Sequence, residues 1–149
     1  MHRKHFLFAM CVAPFLAACE IARPQERNMT VFKDPTCGCC GNWVEHLRAN
    51  GFIVEVQETN DTAGTSRQYG VPTELRGCHT GIAGGYTIEG HVPAEDILRL
   101  LRERPDAKGL AVPGMPKSSP GMGVPGQTHE PYTVVAFARD GKTSVFAQH

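Results

Sequence analysis

Residues 36–41 read T-C-G-C-C-G, which places Cys37, Cys39 and Cys40 within four positions. Cys37 and Cys40 have the C-x-x-C spacing of a dithiol redox pair. Cys39 does not suit that use alone, because a third thiol beside the pair competes as nucleophile and scrambles the disulfide. Thiolates are soft ligands that select Cu(I), zinc or iron–sulfur clusters. Structural zinc draws on separated C-x-x-C pairs, and the chain has one such pair. Thiolates this crowded act more naturally as bridges, each sulfur touching more than one ion. The motif therefore points to a multinuclear copper–thiolate site. The plainer alternative is a local disulfide with one spare thiol.

Other soft donors occur downstream. Met115 and Met122 stand in G-M-P and P-G-M within a polar, Pro/Gly-rich segment. Thioether suits Cu(I) and is seldom used for zinc. Both methionines read equally well as apolar plugs on the domain surface. Among the histidines, His91 and His129 lie in loop context and are the better ligand candidates. His46 falls one helical turn past the cysteines. Each histidine taken singly also reads as an ordinary hydrogen-bonded side chain. Strand alternation places Cys78 and His79 on opposite faces, which argues against their sharing one ion.

These residues need elements to position them. Met29–Lys33 reads as a first strand, and Asp34-Pro35-Thr36 turns the chain into the cysteines. Residues 41–50 read as an amphipathic helix with Trp43, Val44 and Leu47 on its inner face, ended by Gly51. A strand over 52–57 and a weak helix over 62–69 follow. Two short strands, 80–83 and 86–89, flank Gly84-Gly85. A helix over 94–104 has Pro93 at its first turn and Ile97, Leu98, Leu100 and Leu101 as its buried stripe. Residues 109–131 lack periodicity and read as one long loop, of the kind that is usually functional or disordered. A hairpin over 132–138 and 143–147 closes the chain about Asp140-Gly141.

The order is β-α-β-α-β-β-α plus an extension. A β-α-β unit implies a parallel strand pair. The cysteines then sit where the first strand meets the first helix, which resembles the thioredoxin fold. There the unpaired N–H groups and the helix dipole lower a thiol pKa. In that arrangement the third strand runs antiparallel to the first, so Cys78 at its start comes beside Cys37, Cys39 and Cys40. The expected fold is α/β: a thioredoxin-like domain over 30–108, then a Pro/Gly/Met-rich metal-binding extension and terminal hairpin over 109–149.

The first 29 residues read as export and tether. Met1–His5 is basic, and Phe6–Ala18 is an apolar run too short to span a bilayer as a helix. Leu16-Ala17-Ala18-Cys19 resembles a bacterial lipoprotein box. The expectation is a signal peptide over 1–18, lipid on Cys19, a tether over 19–29, and a periplasm-facing protein anchored to a membrane. Outside the cytosol, paired thiols oxidise by default. The chain is 149 residues long with zero formal net charge, so it lacks the basic surplus that nucleic acid binding requires. A monomeric domain is expected.

Three blocks, D-P-T-C-G-C-C-G-N-W-V-E-H-L, G-C-H-T-G-I-A-G-G-Y-T-I-E-G-H-V-P and G-L-A-V-P-G-M-P with S-P-G-M, are similar to the CopG family of Gram-negative copper-resistance proteins. The resemblance covers about Thr30 to Phe146. It implies a thioredoxin-like domain whose extension helps bind metal, and a copper cluster beside the Cys-x-Cys-Cys motif. It also implies interconversion of Cu(I) and Cu(II) during copper export, with the envelope's export machinery as partner. By the same resemblance Cys37, Cys39, Cys40 and Cys78 are thiolate ligands, joined by Met115 and Met122. Three functions fit: a copper protein that changes copper oxidation state with Cys37 and Cys40 as its redox pair, a non-catalytic copper store or carrier, and a thiol–disulfide oxidoreductase.

Overall fold

A computed structural model describes residues 26–123 and 130–149. The expected leader, Cys19 and His129 lie outside the described residues. Among the described residues no helix is long and apolar enough to cross a membrane.

The fold is mixed α/β. Its strands are β1 (Asn28–Lys33), β2 (Ile53–Glu58), β3 (His79–Ala83), β4 (Tyr86–Glu89), β5 (Gly109–Ala111), β6 (Thr133–Phe137) and β7 (Thr143–Gln148). Its helices are α1 (Gly38–Ala49), α2 (Thr62–Gln68) and α3 (Ala94–Glu103), with a 3-10 turn at Thr73–Leu75. One sheet carries all seven strands in the order β2-β1-β3-β4-β5-β6-β7. β1 is parallel to β2 and antiparallel to β3, with Lys33 opposite His79 at the end of that ladder. The end of β1 and the start of β3 are thus neighbours, and the cysteine turn and Cys78 extend from them.

Apolar spacing on α1 and α3 explains the main core. Trp43, Val44 and Leu47 of α1 meet Ile97, Leu100 and Leu101 of α3 over Val31, Ile88 and Leu110 of the sheet. A smaller cluster of Val71, Leu75, Ala111 and Phe137 lies apart from it. Trp43 is fully buried and its Nε1–H donates to the Val92 carbonyl at 2.8 Å, so its one polar atom is satisfied. His46 is a structural residue here: its Nε2 accepts the Ala94 N–H at 3.1 Å. Pro93 offers α3 no side-chain cap, and this imidazole pairs one of the free donors at the helix start.

Two expectations need correction. α1 begins three residues earlier than periodicity placed it, because Cys37 itself caps the helix. The stretch expected to be a loop from 109 contains β5, which pairs parallel with β4 and antiparallel with β6. A three-residue strand between Gly109 and Pro113 is too short to show alternation. It ties the terminal hairpin into the same sheet as the cysteine-bearing strands.

Candidate metal centre

The cysteine turn is built by local chemistry. Asp34 Oδ1 accepts the Thr36 N–H at 2.7 Å and the Thr36 hydroxyl, and Cys37 N–H donates to the Asp34 carbonyl at 3.1 Å. These hydrogen bonds hold the Asp34 carboxyl below its ordinary pKa. Cys37 then adopts an extended backbone, and its Sγ accepts the Cys40 N–H at 3.4 Å as the helix cap. Cys39 and Cys40 fall in the first turn of α1, beside its unpaired N–H groups.

Four sulfurs meet there. Cys37, Cys39, Cys40 and Cys78 place their Sγ atoms within 4.8 Å of one another. Cys37 and Cys40 form a disulfide, while Cys39 and Cys78 are free thiols. Cys39 Sγ lies 3.5 Å from Cys37 Sγ, and Cys78 Sγ lies 3.3 Å from Cys40 Sγ. Disulfide sulfurs carry no proton, so in both contacts the free thiol is the only donor. Each free thiol therefore touches one end of the same disulfide.

Cys78 also faces two imidazoles. His79 Nδ1 is 3.4 Å from its sulfur and His91 Nε2 is 3.7 Å away. The far nitrogen of each ring is committed to a carbonyl, which can only accept. His79 Nε2–H donates to the Gly90 carbonyl at 2.9 Å, and His91 Nδ1–H donates to the Pro120 carbonyl at 2.7 Å. In the neutral rings these bonds assign the lone pairs to His79 Nδ1 and His91 Nε2, both turned toward Cys78. Burial pushes the His79 pKa down to about 3, aided by neighbouring His91, and burial lowers His91 too. The Cys78 thiol is pushed up to about 12, first by burial and then by Cys39 beside it. Two imidazole lone pairs thus face the protonated Cys78 thiol and the sulfurs around it. A cation that displaces the Cys78 proton completes such a set, and anchoring a ligand's far N–H on a carbonyl is how histidines are aimed at metals.

The extension reaches the same place. Gly121 has a φ of +86°, and a Cβ built on it would lie 2.7 Å from Trp43 N and 3.0 Å from the Cys39 carbonyl oxygen. Only glycine permits this approach of backbone to the first turn of α1. Asn42 Nδ2 donates to the Gly121 carbonyl at 3.4 Å, and Pro120 holds His91. Met122 is the next residue along. Met115 sits at an exposed turn with a φ of +48°.

The expected residues therefore divide. The structure brings Cys37, Cys39, Cys40, Cys78 and His91 together, sets Met122 beside the docked Gly121, and leaves Met115 on the surface. It adds His79 and so corrects the reading that alternation separates His79 from Cys78. Cys78 precedes β3, so strand alternation does not govern it.

The segment 75–122, from before Cys78 to Met122, matches a family model described as a protein of unknown function, DUF411. No curated protein matches the chain. Two solved structures titled copper resistance protein CopG, forms 2 and 1, are 47% and 46% identical to it. The alignments cover 82% and 83% of this chain and 97% and 98% of those, each with a TM-score of 0.77. At that identity over nearly the whole of both relatives, the chain belongs to the CopG family of copper resistance proteins.

Proposed function

We propose that this protein binds copper as part of envelope copper resistance, in a cysteine-bridged site of several ions that interconverts Cu(I) and Cu(II). The observation that carries the reading is the convergence on Cys78 of three further sulfurs and two carbonyl-anchored imidazoles. Thiolates favour Cu(I), and imidazole accommodates both oxidation states. The ligand set is Cys37, Cys39, Cys40, Cys78, His79 and His91, with Met122 supplied by the extension; Met115, exposed at its turn, stands outside it. Copper is the cargo. Its oxidation has a balanced partner in the protein: two Cu(I) giving two Cu(II) release two electrons, which convert the Cys37–Cys40 disulfide into two thiolates.

The fold around the site supports a thioredoxin-like reading. The chain runs β1-α1-β2 with a parallel pair, then returns antiparallel as β3, and the sulfurs stand at the start of α1. The leader, lipidation at Cys19, a periplasm-facing location, monomeric state and a partner in copper export complete the proposal from the sequence. The test is copper and zinc content with an optical spectrum, on protein purified anaerobically and then exposed to air. Several coppers per chain with a visible band that changes on oxidation are expected. A single zinc, or a colourless metal-free protein, overturns the reading.

The Cys37–Cys40 disulfide at a helix start favours a second reading, thiol–disulfide exchange. In that reading copper is incidental and Cys39 is dispensable.

A further inference from the structure

Glu89 is a fully buried carboxylate without an ion-pair partner within salt-bridge distance among the described residues. It lies in β4, directly across from Thr80 of β3. Three donors converge on it. Oε1 accepts the Gly77 N–H at 2.7 Å and the Ser66 hydroxyl at 2.9 Å, and Oε2 accepts the Thr80 hydroxyl at 2.7 Å. Burying a carboxylate is costly unless its oxygens are paired, and here β3, α2 and the Gly77 turn all contribute to pairing them. A hydrophobic residue at this position would need none of these partners.

The contact with Gly77 explains the expense. Gly77 immediately precedes Cys78 and is the last residue before the sulfur that faces Cys40, His79 and His91. A Cβ at Gly77 would lie 3.3 Å from the Gly90 Cα, so the turn is pressed against the backbone that also holds His79. Packing against Gly90 and the hydrogen bond from the Gly77 N–H to the Glu89 carboxylate together fix the turn. Gly90 N–H donates to the His79 carbonyl at 3.2 Å, which extends the same β3–β4 clamp to the next residue.

We propose that Glu89 is a positioning residue for the metal centre, acting through the Gly77 N–H to set the Cys78 sulfur against its neighbours. This rests on the copper-binding reading above. The work is done by reach: a carboxylate oxygen spans from β4 to the turn, and the Ser66 and Thr80 hydroxyls hold the carboxylate there.

Reach and charge are separated by two conservative variants of the full chain. Glu89→Gln keeps the length and an oxygen for Gly77 but removes the charge. Glu89→Asp keeps the charge but withdraws it by one methylene. Cu(I) affinity of the reduced proteins is read by competition with a chromophoric Cu(I) chelator, with circular dichroism and Tm as folding controls. Glu89→Asp is expected to bind about 10-fold or more weakly while remaining folded, in the range seen when groups supporting metal ligands are removed. Glu89→Gln is expected to stay within about 3-fold of the parent, well short of that range. Equal affinity of folded Glu89→Asp and parent overturns the proposal. So does a loss in Glu89→Gln that exceeds the loss in Glu89→Asp, which would assign the effect to charge. If Glu89→Asp does not fold, Thr80→Val, which removes the hydroxyl that holds Oε2 and leaves Gly77 untouched, decides: with the fold retained, parent-like affinity again overturns it. Failure of the parent itself to bind Cu(I) refutes the copper reading instead.

Discussion

Cys40 and Cys78 are 38 positions apart in the chain, and their sulfurs are 3.3 Å apart. The first belongs to the opening turn of α1 and the second to the approach to β3. Cys78→Ser removes the sulfur on which both imidazoles converge. It should lower Cu(I) affinity by more than the roughly 10–100-fold typical of losing a supporting group. The Cys37–Cys40 disulfide should still form, which thiol counting and intact mass check.

Cys39→Ser separates copper binding from thiol exchange. A site that shares Cys39 sulfur between ions loses copper when that sulfur is removed. Exchange through Cys37 and Cys40 should persist, since neither is touched. Copper content and a dithiol–disulfide exchange assay on the same preparation give the two readouts.

Copper-free protein should lose stability on acidification, and His79 sets the direction. Its pKa is about 3 when folded against an ordinary 6.5. As pH falls below 6.5 the unfolded chain takes up a proton that the fold refuses. The contribution is therefore complete above 6.5 and is lost progressively toward 3, on the order of a few kcal/mol in all. His91, also lowered, acts in the same sense. Glu89, raised by burial, acts oppositely at the acid end, where its folded carboxyl is protonated first. His79→Gln should flatten the fall in Tm between pH 7 and about 5.

Gly121→Ala tests the docked extension. It should cost about 1 kcal/mol or more from its φ alone, with the collision against Trp43 added. A chain of this size converts each kcal/mol into a Tm shift of about 2–4 °C. Gly114→Ala is the control, because Gly114 also has positive φ, +78°, but meets nothing within 4 Å. A larger loss at Gly121, together with weaker copper binding, is expected from thermal melts and metal titration.

Trp43 is the chain's only tryptophan, and its ring centroid lies 4.3 Å from that of His79. Copper loading should quench its emission, and a fluorescence titration measures the stoichiometry directly. Trp43→Phe strands the Val92 carbonyl and should cost about 1–3 kcal/mol from that loss alone.

Much of this was legible in the residues because the signals were local. Gly51 stops α1, Gly84-Gly85 turns the hairpin, and a β-α-β reading was enough to bring Cys78 to the other cysteines. What escaped depended on partners distant in sequence. The burial of Glu89, at the end of a short strand, depends on α2 and the Gly77 turn, whose contacts no local pattern announces. Alternation separates His79 from Cys78 only within a strand, and β3 begins at His79. β5 has no signature of its own, since it exists by pairing with β4 and β6. The Cys37 cap carries no sequence signal, because helix starts are marked by Ser, Thr, Asp or Asn and not by a thiol.

The Lys33–His79 rung has a consequence for assembly of the site. A slip of one residue between β1 and β3 would carry Cys78 about 3.3 Å along the strand and turn every β3 side chain to the opposite face. The sulfurs would then no longer meet. A chain closed in the wrong register would lack the four-sulfur cluster, so any ligand of that cluster would stabilise only chains that closed correctly.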